Sequence, residues 1–432
     1  MHTSSKSAVV YENSLAFAQQ QDALDPLKKY REQFYFPQMH GRDVIYFTGN
    51  SLGLQPKKTQ DYILNELEDW ATFGVEGERL ARNPWLSYHE QFSESLSKIV
   101  GAKAVEVTVM NSLSVNLHLL LVSFYRPDKN RTKILCESNA FSSDRFVIES
   151  QLHVHGFKTA DAIIEVAPRQ GEHCIREEDL LEAIEKNKDS LALVLIGAVN
   201  HYTGQAFNIK NLTAAAHQAG AVIGLDLAHA AGNIKLQLHD WQVDFAGWCT
   251  YKYLNSGPGG ISGIFIHERH LNNPQIPRFG GWLGVSKESR FKLNREFVPA
   301  TTAEGWQLGT VPVLLLAAHK AALDLFDETG MEALVAKAEK LTGYLEFIIQ
   351  EVNKTQDQQL EIITPSDKEK RGSQLSLIPH KMGKEFYNRL MHAGVITTWL
   401  EPGVMRCAPV PLYNSFEDIY RFGELIRELA VS

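Results

Sequence analysis

Lys252 and Asp226 are the two side chains whose types, order and surroundings most suggest chemistry. Lys252 lies in WCTYKYLNSGPGG (248–260), among Trp248, Tyr251 and Tyr253 and just before Gly257, Gly259 and Gly260. An amine that forms an imine and then moves protons must be reachable yet partly desolvated, so that its pKa falls toward neutrality. The aromatics supply that setting, and the glycines let backbone approach a bound group closely. Alone, such a lysine is an ordinary loop residue. Asp226 changes the reading, because it ends the apolar run AVIGLD (221–226) and so places a carboxylate at the mouth of a sheet. A carboxylate there is costly unless it faces a cation or several donors. A protonated pyridine nitrogen is such a cation, and a pyridine that takes an imine at one position and acts as an electron sink is pyridoxal phosphate. His229 backs that carboxylate or touches the ring. The plainer readings are a helix cap for Asp226 and a core histidine for His229. Asp-x-x-His also suits zinc, but no third and fourth ligands follow at a sensible spacing, so no metal is expected.

A phosphate needs its own cradle. VMNSLSVNLHLLL (109–121) puts Asn111, Ser112 and Ser114 just ahead of an apolar helical pattern, and a helix N-terminus bearing small polar residues donates hydrogen bonds to an anion; plain N-capping explains the same serines. In CESNAFSSDRF (136–146), Phe141 is placed to stack on a planar ring and Asp144 to bond a ring hydroxyl. A core phenylalanine and a second cap are the alternatives.

The elements that must carry these residues read as α/β. Apolar runs at 132–136, 162–166, 191–198, 221–226 and 261–266 are candidate buried strands. They alternate with helical stretches at 176–187 and 211–220, which predicts a mostly parallel sheet wrapped by helices. In such sheets ligands bind at the carboxyl ends of the strands, where GAVNHYTGQ, DLAHAAG and CTYKYLN are found. From about residue 310 the pattern changes to two long helices (312–327, 331–353), short strand-like segments GSQLSLIP, GVITTW and GVMRCAP, and the amphipathic FEDIYRFGELIREL. The expected division is an N-terminal segment, 1–45, packing with a small domain; a large cofactor-binding domain, 46–310; and a smaller α+β C-terminal domain, 311–432. SDKEKR (366–371) reads as a solvated loop.

Composition narrows the function classes. Of 432 residues, 44% are hydrophobic, enough for a full core. With 51 acidic against 43 basic side chains and no dominant basic block, a nucleic-acid partner is not expected. No run of about 18 apolar residues or signal-peptide pattern is seen, so neither a membrane nor a targeting signal is expected. Cys136, Cys174, Cys249 and Cys407 are scattered without a Cys-x-x-Cys pair, which suits a reducing, cytoplasmic setting.

GNSLGLQP (49–56), MNSLSVNLHLLL (110–121), FSSDRF (141–146), HYTGQ (201–205), DLAHAAGN (226–233), YKYLN-x-G-x-GG (251–260), GWLG (281–284) and RCAPVPLYN (406–414) together resemble the kynureninase family, within the class V aminotransferase superfamily. The resemblance spans roughly residues 25–430. It implies the fold-type I, aminotransferase-like architecture of pyridoxal-phosphate enzymes. It also implies hydrolytic Cβ–Cγ cleavage of L-kynurenine or 3-hydroxykynurenine, amino-acid substrates, to an anthranilate and alanine, in tryptophan catabolism and pyridine nucleotide biosynthesis.

Residue by residue, the resemblance implies that Leu113 and Ser114 bind the phosphate, Phe141 stacks on the ring and Asp144 lies near its hydroxyl. Asp226 would pair with the ring nitrogen beside His229. Tyr251 would reach the phosphate and relay a proton, and Lys252 would be the Schiff-base lysine. Trp282 and Thr310 match positions that complete the phosphate site of a neighbouring subunit, implying a homodimer with shared active sites. Arg406 would hold the substrate carboxylate, and Ser51 would line the substrate pocket. Two departures stand out: Gly197 replaces a serine that contacts the cofactor, and Val75 stands where some members carry a ring-binding histidine, in a slightly longer loop. The competing readings are another reaction on this fold, a cysteine desulfurase or aminotransferase, and a non-catalytic module.

Overall fold

The computed structural model describes residues 10–292, 296–354 and 360–430. The elements used below are, in chain order, helix α1 (Leu15–Leu24), α2 (Thr59–Phe73), strand β1 (Val107–Val109), α3 (Leu113–Phe124), β2 (Lys133–Glu137), α4 (Ser142–Val154), β3 (Ile163–Val166) and β4 (Leu191–Gly197). There follow α5 (Ile209–Gln218), β5 (Val222–Asp226), β6 (Phe245–Trp248), β7 (Gly263–Ile266), α6 (Val313–Thr329) and α7 (Met331–Asn353). The chain closes with β8 (Leu360–Ile362), β9 (Leu375–Pro379), β10 (Thr398–Leu400), β11 (Val404–Cys407) and α8 (Phe416–Ala430).

Seven strands form the large sheet in the order β1-β7-β6-β5-β4-β2-β3. Strands β6, β5, β4, β2 and β3 are parallel, and β7 runs antiparallel to both β6 and β1. The apolar runs are continuous because helices cover both faces, so neither side of these strands can be polar. Leu193, Val194, Leu195 and Ile196 of β4 are all buried. The expected strands match β2, β3, β4, β5 and β7 to within two residues at each end. Strands β1 and β6 are additions, and the antiparallel edge refines the mostly parallel sheet.

The second sheet has the order β8-β9-β11-β10, antiparallel throughout. Its core joins Leu341, Leu345 and Ile348 of α7 with Ile419 and Phe422 of α8, and takes in Phe17, Ala18, Ile45 and Phe47 from the N-terminal part of the chain. Ile45 and Tyr46 also pair in parallel with Val395 and Ile396. Gly330, at φ +70, separates α6 from α7, a conformation only glycine adopts freely. Helix α6 contributes Leu316, Ala317 and Leu323 to the core of the large sheet. Residues 366–370 are exposed, whereas Arg371 is buried and pairs with Glu346 at 2.7 Å. Val75 sits in a short helical turn after α2 rather than in an open loop, and is exposed.

Candidate active site

The carboxyl ends of β2, β4 and β5 open into a cavity of about 170 Å³. It is lined by Leu113 and Ser114 from the start of α3, Phe141 and Asp144 around the start of α4, and Asp226, His229, Tyr251 and Lys252 after β5 and β6. Eight of the expected site residues therefore share one space. Ser51, Trp282, Thr310 and Arg406 do not line it.

Lys252 is the centre of this space. Its Nζ lies 3.1 Å from His229 Nε2 and 5.8 Å from the centroid of the Phe141 ring. The lysine loop is fixed from below: Thr250 Oγ1 pairs with Ser256 Oγ at 2.6 Å and donates to Ile261 O at 2.5 Å. From the side, Gly53 N donates to Tyr251 O at 2.8 Å. A Cβ on Gly53 would stand 2.5 Å from Lys252 O, so the GNSLGLQ turn and the lysine loop can meet only at a glycine. Burial drives the His229 imidazole well below its ordinary pKa, helped by Lys252, Arg406 and His201. His229 is therefore neutral. If Nε2 accepts from the lysine ammonium, Nδ1 carries the proton, and Nδ1 is buried with no partner.

Asp226 ends β5 and its Oδ1 accepts from Ala228 N at 2.6 Å, a local turn rather than a helix cap. Asp144 is buried, and burial followed by the neighbouring charge of Asp226 pushes its carboxyl well up. At the other end, Ser112 is the N-terminal flanking residue of α3, yet its side chain makes no capping bond. The helix N-terminus and the Ser112 and Ser114 side chains therefore face the cavity as an anion cradle.

Two lining residues that the sequence reading did not single out are Glu137 and His201. The His201 ring meets Phe141 edge-on at 5.4 Å, and its carbonyl accepts from Arg406 Nη1 at 2.9 Å and from Gln374 Nε2 at 3.1 Å. Burial, Arg406 and Lys252 push its imidazole down to about 4. Arg406 is buried on β11, with Nε left unpaired. Asn50 bonds Gln374 at 2.7 Å, and its neighbour Ser51 is exposed. Trp282 and Thr310 lie at the surface; Trp282 packs edge-on to Phe291 at 5.9 Å.

These residues fit pyridoxal phosphate. The amine stands within the cavity, a carboxylate faces it from the end of β5, an aromatic face lies beside it and a helix N-terminus with two hydroxyls closes one end. The buried Nδ1 of His229 is a polar atom that the protein itself leaves without a partner.

The architecture is that of fold-type I enzymes. A cysteine desulfurase from Thermococcus onnurineus superposes with a TM-score of 0.72 at 18% identity, covering 90% of this chain and 95% of its own. A C-DES variant with glycine covalently linked to its PLP cofactor gives 0.76 at 15% identity, covering 92% and 98%. Sequence relatives are much nearer. Kynureninase from Flavobacterium johnsoniae is 57% identical over 97% of this chain and 99% of its own length. Kynureninase from Myxococcus xanthus is 50% identical over 96% of each, and that of Nematostella vectensis 44% identical over 95% and 92%. Residues 334–426 match the kynureninase C-terminal domain family. On identity across nearly its whole length, this chain belongs to the kynureninase family.

Proposed function

We propose that this chain is a pyridoxal-phosphate-dependent hydrolase that splits the Cβ–Cγ bond of L-kynurenine, 3-hydroxykynurenine or both, releasing the corresponding anthranilate and L-alanine. The observation that carries the proposal is the Lys252 amine, 3.1 Å from His229 and in one cavity with Asp226. When bound, the coenzyme supplies an electron sink for the α-carbanion.

The protein's own groups do the rest. Lys252 would anchor the coenzyme, and its amine, once displaced by the substrate amine, would be placed to take the substrate α-proton; the cleavage would consume one water, its oxygen going to the γ-carbonyl carbon and a proton to Cβ. Asp226 would face the ring nitrogen of the bound coenzyme and favour its protonated form. Ser112, Ser114 and the start of α3 would hold the phosphate, with Tyr251 near it; burial and the neighbouring Cys249 push the Tyr251 phenol up, which suits it to donate a proton. Phe141 and His201 would border the ring, and a neutral His201 would add no competing charge. Arg406 keeps its cation although burial lowers it to about 10, and receives the substrate α-carboxylate in a bidentate pair. Ser51 lines the substrate pocket, and Trp282 and Thr310 complete the site of a second subunit in a homodimer. Three spans, 1–45, 46–310 and 311–432, serve as N-terminal segment, coenzyme domain and small domain.

A cytoplasmic setting is supported by four cysteines that are all free thiols. Among the described residues no helix is long and apolar enough to cross a membrane. Desulfurase activity is disfavoured because no cysteine lines the cavity, and Cys136, Cys249 and Cys407 are buried. The test is to give the coenzyme-loaded protein each kynurenine and follow anthranilate fluorescence together with alanine. Equal amounts of both products, lost in Lys252→Ala, support the hydrolase. Neither product from a yellow, imine-containing protein would overturn it and leave the coenzyme assignment standing.

A further inference from the structure

Three neighbouring parallel strands end at the floor of the cavity: β2 in Glu137, β4 in Gly197 and β5 in Asp226. Gly197 is paired in register with Asp226, and on its other side its N–H donates to both Glu137 carboxyl oxygens, at 3.1 and 3.3 Å. A Cβ on Gly197 would lie 3.0 Å from Glu137 Oε1, tighter than ordinary contact. The glycine and the acid are thus a matched pair: the side chain missing from β4 leaves the space that the Glu137 carboxyl occupies.

We propose that Glu137 is a positioning residue of the coenzyme site, a buried carboxyl seated against Gly197 without a cationic partner that leaves Asp226 to carry the charge facing the ring nitrogen. The proposal rests on the reading of Asp226 as the partner of that nitrogen. Glu137, Asp144 and Asp226 line one cavity. Like charges gathered in one buried space disfavour one another's ionised form. Glu137 is 4% exposed. Burial and the charge of Asp226 raise its carboxyl to about 7, although the Gly197 N–H works in the opposite direction. Asp144, facing it from α4, is also driven up by burial and by Asp226.

The remaining groups around the floor do not cancel this. His201 and His229 are held neutral by burial. Lys252, which also lines the cavity, is in contact with His229. On β2 itself, the Cys136 thiol is raised to about 12 by burial and Glu137, and Arg145 beyond it is engaged by Glu149 and Glu165, each at 2.7 Å. No arginine or lysine among the described residues hydrogen-bonds to the Glu137 carboxyl.

Infrared difference spectra of the full-length, coenzyme-loaded protein test the assignment. Wild type minus Glu137→Gln at pH 6 should show a protonated-carboxyl C=O band that fades between pH 6 and 8. Absence of that band at pH 6 overturns the proposal, whether or not the protein cleaves kynurenine. Gly197→Ala provides a second variant: by pressing on Oε1 it should shift that band or its pH midpoint, and an unmoved band would deny the pairing. With coenzyme bound, Glu137→Gln should remove a pH-dependent step near neutrality from the visible absorbance, and a step that persists in Glu137→Gln speaks against Glu137 as its source. Should Glu137→Gln fail to fold, the Gly197→Ala spectrum against wild type decides alone.

Discussion

Lys252 Nζ and His229 Nε2 stand 3.1 Å apart, and the imidazole is kept neutral by the burial that also isolates its Nδ1. The pair orients the amine before any substrate arrives. Lys252→Ala should lower turnover by at least about 10³-fold, since both the imine anchor and the proton carrier are lost. His229→Leu removes one oriented bond to a charged group and should cost about 10- to 100-fold in kcat. Steady-state kinetics on coenzyme-saturated protein check both, and wild-type turnover in either variant would refute the assigned roles.

Arg406 donates one bond to the His201 carbonyl, and its buried Nε has no protein partner. Arg406→Lys retains charge but loses the planar two-point grip, so KM for kynurenine should rise about 10- to 100-fold with a smaller change in kcat. A fall in kcat at constant KM would place Arg406 elsewhere in the mechanism.

Trp282 and Thr310 lie outside the cavity of their own chain. If they complete the site of a second subunit, Lys252→Ala and Trp282→Ala proteins should each be nearly inactive. Unfolded together and refolded as a mixture, they should regain ~a quarter of wild-type sites, because half the dimers are hybrids with one intact site. No recovery from mixed, correctly folded dimers would show that each site is built within one chain.

Asp244 offers a stability test remote from the chemistry. It is buried and accepts from Ile223 N and His217 at 2.9 Å and from His270 at 2.8 Å, with Arg269 closing the cluster. Burial alone would raise this carboxyl, but the bonds from His217 and His270 and the Arg269 charge outweigh it and hold the group far below the usual range. A depressed folded pKa means stability that is present above the unfolded value near 4 and lost as pH falls below it. Asp244→Asn should therefore lower unfolding stability by about 3 kcal/mol at pH 7. The difference from wild type should shrink as denaturation is repeated at lower pH; a constant difference would contradict the ion-pair account.

Much of the frame was legible for a simple reason. Parallel strands buried on both faces leave unbroken apolar runs, as in LALVLIG and VIGLD, and their polar terminators mark the mouth of the sheet. The short strands β1, VTV, and β6, FAGW, escaped because three or four residues carry no usable period. The reversed direction of β7 leaves no trace in its pattern either. Glu137 was overlooked although it ends KILCE as Asp226 ends VIGLD, and that parallel was the available signal. His201 was marked only by its place in HYTGQ after a strand; the contacts of its carbonyl with Arg406 and Gln374, far along the chain, leave no local pattern.

That shared carbonyl ties together two kinds of recognition. The residue whose ring borders Phe141 is held by the arginine assigned to the substrate carboxylate, so the roof over the coenzyme and the clasp for the substrate hang from one peptide unit. Any swing of the second sheet that withdraws Arg406 must tug on His201 as well. On the proposed roles, a shift of Arg406 would be felt at His201 through that carbonyl, linking the grip on the substrate carboxylate to the wall beside the ring.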